Sequence, residues 1–125
     1  MKRVRLNILG LSFSQTQDNA YVLILIEDEG ERRIPIIIGS AEAQAIAIQL
    51  EKMKAPRPLT HDLFFSFAKS FSIEITEVVI HKLHEGIFYS KIVCKSEDRQ
   101  IEIDARTSDA VAMAVRFECP IYTTS

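Results

Sequence analysis

The densest polar patch in the sequence is Asp104-Ala105-Arg106-Thr107-Ser108-Asp109-Ala110. Two carboxylates flank an arginine at what reads as a strand-to-helix turn. Carboxylates so placed can hold a divalent cation such as Mg2+ or Mn2+, with the remaining coordination positions left to water. The same residues can instead close on one another as a structural ion pair, Asp104 with Arg106 or with Arg57. A second group lies upstream, in Pro56-Arg57-Pro58-Leu59-Thr60-His61-Asp62. Prolines fix their own φ and restrict the residue before them, so this loop aims Arg57 and His61 along a defined path. A planar guanidinium suits phosphate or carboxylate, and a histidine can serve as general base near neutral pH. A lone histidine, without a second at helical spacing, is a weak metal signal. Unpaired charges at a strand end demand partners. Arg57, His61, Asp104, Arg106 and Asp109 are therefore expected to converge.

Three predicted helices carry these groups, and all three begin alike: Ser40-Ala41-Glu42, Thr60-His61-Asp62 and Thr107-Ser108-Asp109. Each places a hydroxyl at the expected N-cap and a carboxylate two residues later. Capping and the helix dipole account for that pattern without any function, contributing roughly 1–2 kcal/mol per helix. The helices are expected over Ser40 to about Lys52, Thr60 to about Ser70, and Thr107–Phe117. The second should turn Leu63, Phe64, Phe67, Ala68 and Phe71 to one apolar side. Strands are expected over Val4–Leu11, Tyr21–Ile26, Arg33–Ile38, Ile73–Leu83, Ile87–Lys95 and Gln100–Asp104, with a short last one at Pro120-Ile121-Tyr122. Gln15–Asn19 reads as a polar turn, and Pro35 argues for an edge strand or a bulge because it cannot donate to a ladder.

The sequence also contains one unit twice. RRIPIIIGSAEAQAIAIQLE at 32–51 lies over RQIEIDARTSDAVAMAVRFE at 99–118. Ile34 then falls on Ile101, Ile36 on Ile103, Ser40 on Thr107, Glu42 on Asp109, and Ala43 on Ala110. The copies part where Ile37, Ile38 and Gly39 become Asp104, Ala105 and Arg106. The fold expected is α+β: a mixed, largely antiparallel sheet with three helices packed on it, built from a duplicated hairpin-plus-helix unit.

A chain of 125 residues fits a single domain spanning 1–125. The net charge of −2 gives no general basic surface for nucleic acid, so any such contact needs a local patch, from Lys2, Arg3 and Arg5 or from Lys52, Lys54 and Arg57. The N-terminus alternates polar and apolar residues rather than forming a signal peptide, and no apolar run is long enough to span a bilayer. Cys94 and Cys119 lack zinc spacing and a histidine neighbour, which fits a reduced, cytoplasmic chain. No nucleophile elbow, P-loop, dinucleotide fingerprint or HExxH is present. The helix from Thr60 has more apolar girth than one sheet contact needs, which predicts a homodimer or higher homo-oligomer.

On these residues the sequence resembles the bifunctional nuclease family. The match runs through Ile34-Pro35-Ile36-Ile37-Ile38-Gly39 with Glu42-Ala43, then Arg57-Pro58-Leu59-Thr60-His61-Asp62. It continues through Ile103-Asp104-Ala105-Arg106 with Ser108-Asp109-Ala110, and ends in Pro120-Ile121-Tyr122. Thr107 replaces a proline expected there and still starts a helix. Many bacterial members carry a further short helical segment, which this sequence lacks after Ser125. The resemblance implies nuclease activity on DNA and RNA. On that reading Asp104, Asp109 and Glu42 would bind Mg2+ or Mn2+, Arg57 and Arg106 would hold phosphate, and His61 would activate water alongside Asp104 and Asp109. The competing reading is a non-catalytic oligomerising or ligand-binding module whose polar cluster is a salt-bridge network. An open cleft or burial against arginines separates the two.

Overall fold

The computed structural model describes residues 3–13 and 20–124. Seven strands form one sheet: β1 (Arg3–Phe13), β2 (Ala20–Glu27), β3 (Arg33–Gly39), β4 (Glu74–His84), β5 (Ile87–Ser96), β6 (Arg99–Arg106) and β7 (Ile121–Thr124). Three helices accompany them: α1 (Ser40–Leu50), α2 (Thr60–Ser70) and α3 (Thr107–Phe117). The order across the sheet is β3-β2-β1-β7-β4-β5-β6. All neighbours are antiparallel except β4 and β7, so the sheet is mixed and the class is α+β, as expected. Pro35 lies on the edge strand β3, where its missing N–H costs no ladder bond. The polar turn expected at Gln15–Asn19 falls outside the described residues.

Counted outward from β7, the sheet runs β1-β2-β3 on one side and β4-β5-β6 on the other. Each outer hairpin leads straight into a helix, β2-β3 into α1 and β5-β6 into α3. The β4–β5 turn is the two-residue Glu85-Gly86, both with positive φ (51° and 79°), which suits the right-handed twist of a hairpin. The core joins alternate residues of the strands (Leu6, Leu23, Leu25, Ile36, Val78, Ile80, Ile92) to Ala43 and Ile46 of α1 and Ala110, Val111 and Ala114 of α3. The alanines let α1 and α3 lie close to the sheet and to each other. Almost the whole of α3 is buried.

Two expectations are corrected here. The hydroxyls are not N-caps: Gly39, Leu59 and Arg106 hold the extended cap conformation, and Ser40, Thr60 and Thr107 are already the first helical residues. The carboxylates accordingly sit one position deeper, at N3, and Asp62 Oδ2 accepts from the Leu59 N–H at 3.0 Å. The second correction concerns α2, which packs on α3 more than on the sheet. Phe65 stacks at a tilt on Phe117, with ring centroids 4.7 Å apart, and Ala68 is buried. Of the residues expected together on one apolar side, Ala68 is buried whereas Leu63, Phe64, Phe67 and Phe71 are exposed. No helix among the described residues is long and apolar enough to cross a membrane.

Candidate functional site

A cleft of about 520 Å3 opens where the starts of all three helices meet the end of β6. Phe64, Ile92, Ile103 and Met113 supply its apolar lining, and Glu42, His61, Asp104, Arg106 and Asp109 its polar one. Each polar group arrives for a local reason. Glu42 and Asp109 stand at N3 of α1 and α3, where a carboxylate answers the exposed N–H groups of the first turn. Arg106 is the last residue of β6 and the cap of α3. His61 is the second residue of α2, delivered by the loop that Pro56 and Pro58 stiffen.

Asp109 is the centre of the arrangement. Its Oδ1 lies 2.9 Å from His61 Nε2, and its Oδ2 accepts from Arg106 Nε at 3.0 Å. Burial pulls the Asp109 carboxyl upward, but the bonds from His61 and Arg106 outweigh it and hold the group below its ordinary value. An ionised carboxylate only accepts, so Nε2 of His61 carries the proton and Nδ1 of the neutral ring is left with a lone pair. Arg106 also stands 3.8 Å from Glu42 across the cleft. Its hydrogen bond to Asp109, then the charges of Asp109 and Glu42, hold the guanidinium firmly protonated. Glu42 folds back over Gly39: a Cβ at position 39 would come within 2.9 Å of Glu42 Oε1, so glycine leaves room for this carboxylate.

The sequence-predicted residues thus divide. His61, Arg106 and Asp109 are in direct contact, Glu42 stands beside them, and Asp104 lines the same cleft as an exposed carboxylate without an ion pair among the described residues. Arg57 does not join them. It is exposed on the loop before α2 and is absent from the cleft lining. Among the described residues no three or more His, Cys, Asp or Glu side chains are grouped so as to hold a metal ion. Each Asp109 oxygen is engaged once, by His61 or by Arg106, and Asp104 is the cleft carboxylate left open to solvent.

Two further polar features went unread in the sequence. Arg116, buried on α3, donates through Nε to Asp62 at 2.8 Å and through Nη1 to the carbonyls of Ala45 and Ala112 at 3.1 and 3.2 Å. It ties all three helices together beneath the cleft. Burial raises the Asp62 carboxyl, but the Leu59 N–H and Arg116 together bring it below its ordinary value. The signal was a single charge in the otherwise apolar run Ala110–Phe117. The second feature is a buried hydroxyl pair, Ser90 with Thr107, which fastens β5 to the start of α3.

Comparison with known proteins bears on this cleft. A family model described as the bifunctional nuclease domain matches residues 23–125. An uncharacterised protein of Mycobacterium tuberculosis, found in two strains, is 43% identical over 115 residues, covering 92% of this chain and 68% of that protein. More distant is Bifunctional nuclease 1 of rice, Oryza sativa, 22% identical over 103 residues; the match covers 80% of this chain and 31% of the rice protein.

Proposed function

Because the chain belongs to the bifunctional nuclease domain family, we propose that it is a nuclease cleaving phosphodiester bonds of DNA or RNA in the cleft beside His61. One observation carries this reading: His61, Asp109 and Arg106 form a continuous hydrogen-bonded set at the cleft wall. Asp109 orients the His61 ring. Nδ1 of His61 takes the proton from the attacking water as its oxygen bonds to phosphorus, and the P–O bond to the leaving sugar oxygen breaks, that oxygen taking a proton from solvent. The Arg106 guanidinium, 69% exposed in its side chain, has donors left over for the phosphate oxygens. Arg57 would meet the nucleic-acid backbone outside the cleft, just upstream of the cleft-lining Leu59. No step here runs through a metal ion. The hairpin-plus-helix segments 20–51 and 87–118 are read as copies of one unit, which their superposition would test.

The test is cleavage of single-stranded DNA and RNA by wild type, His61→Gln and Asp104→Asn, each with Mg2+, with Mn2+ and with EDTA. His61→Gln should lose activity about 100-fold or more while its melting temperature holds, the scale for a missing general base. Full activity in His61→Gln would overturn the assignment. Activity abolished by EDTA and by Asp104→Asn would move the chemistry to a metal bound at the exposed carboxylate.

A second reading has its own support. Arg106 is already bracketed by Asp109 and Glu42, as in a structural salt-bridge network of a non-catalytic binding or oligomerising module. On that reading no variant changes cleavage and Asp109→Asn lowers the melting temperature by several degrees.

A further inference from the structure

Helix α2 has apolar residues on two sides, and only one side is covered within the protomer. Phe65 and Ala68 face α3. Leu63, Phe64, Phe67 and Phe71 are 65%, 45%, 60% and 64% exposed. At 3.6 residues per turn these four fall within one arc of about 100°. The charges of the helix lie off that arc and are already matched: Asp62 pairs with Arg116, and Lys69 with Glu74. Even the Ser70 hydroxyl is satisfied, donating to the Ser66 carbonyl. The stripe is therefore apolar, continuous and free of unmatched charge.

We infer that this stripe is the contact between two copies of the chain, with α2 packed antiparallel against α2 of the partner about a two-fold axis. The area fits. The four side chains leave about 450 Å2 open per copy, at roughly 200 Å2 for each whole side chain. Two copies together then bury about 900 Å2 from the stripe alone, and the flanking surface brings the total towards the 1,200 Å2 at which stable interfaces begin. The geometry fits as well. A two-fold contact sets each stripe against itself, and antiparallel packing opposes the two helix dipoles. A membrane surface is the poorer occupant, because the chain carries a net charge of −2 and α2 has Lys69 as its one basic residue other than His61. The contact bears on the cleft too, since Phe64 belongs to both the stripe and the cleft lining, and His61 stands one turn away. Dimerisation would cover the open side of the helix whose other side forms this cleft wall.

Light scattering on the 14.2 kDa chain at about 50 µM should give twice the monomer mass, and Phe67→Glu should give the monomer mass with an unchanged far-UV spectrum. If that variant loses helical signal, the milder Phe67→Ser carries the same test by its raised dissociation constant, expected at least 10-fold. Amide exchange in α2 should quicken in the monomeric variant. A wild-type monomer at that concentration would overturn the inference, as would a dimer untouched by either substitution. So would flotation of wild type with anionic vesicles in place of self-association.

Discussion

At the end of β3 the chain enters α1 through Gly39; at the end of β6 it enters α3 through Arg106. The surrounding architecture is the same, an edge hairpin running into a helix with a carboxylate at N3, yet the two junctions have different chemistry. At the first, Glu42 folds over a glycine and meets no cation of its own segment. At the second, Asp109 gains Arg106 from the cap and His61 from α2. The interiors differ in the same way. Leu23 of β2 and Ser90 of β5, which align in the sequence repeat, are both fully buried. Leu23 is satisfied by packing, whereas Ser90 must bond Thr107. Gln49 and Arg116 align in the same sequence repeat, and Arg116 reaches into both neighbouring helices. One junction is closed by shape and the other by polar contacts, and polar contacts are what chemistry can use.

Asp109→Asn against Glu42→Gln should break this comparison most sharply. If the second junction is the active one, Asp109→Asn should lower nuclease activity about 100-fold or more and Glu42→Gln less than about 10-fold, measured as initial rates. Equal losses would make the two junctions one symmetric site. Stability gives the next largest contrast. Arg116→Met takes the cation from Asp62 Oδ1 and the cross-link from the Ala45 carbonyl, and should cost about 3 kcal/mol, or roughly 10 °C in melting temperature. Gln49→Met should cost less than about 1 kcal/mol.

A smaller effect is expected at the hydroxyl pair. Thr107→Val strands the buried Ser90 hydroxyl and should cost about 1–2 kcal/mol in denaturant unfolding, part of which Ser90→Ala recovers in the double variant. The smallest is a dependence on acid. Asp62 and Asp109 sit below the ordinary 3.8, so each favours the folded state fully above that value. That contribution fades as pH falls through the folded values. Melting temperature should drop below about pH 4, less steeply in Asp109→Asn than in wild type.

Strand and helix positions were legible because period-2 and period-3.6 patterns survive in the residues themselves. The pairing of Pro35 with an edge followed from its missing donor. The convergence of His61, Arg106 and Asp109 was legible because a stiffened loop and a charged turn both needed partners. Arg57 was misplaced because proline fixes the direction of a chain but not what lies at its end. That α2 carries more apolar surface than one contact covers was legible too, but which side stays open was not. Periodicity gives the width of an apolar stripe, whereas only the position of Phe117 decides which part of it is covered. Arg116 passed unnoticed because its three partners come from three helices, a tertiary fact with no local pattern.

The place of β7 has a consequence for how the protein comes into being. It is the central strand, pairing with β1 through Leu6 and Ile121 and with β4 through Val78 and Ile121. It is also the last of the seven strands to be synthesised. Without it, β1-β2-β3 and β4-β5-β6 share no strand pairing, and each keeps an unpaired inner edge. Completion of the sheet must wait for four residues that bridge segments far apart in sequence, so assembly is governed by long-range closure and should be slow for a chain of this size. Before that closure both inner edges are open to strands of other chains, so the unfinished sheet is more exposed to misassembly than the finished one.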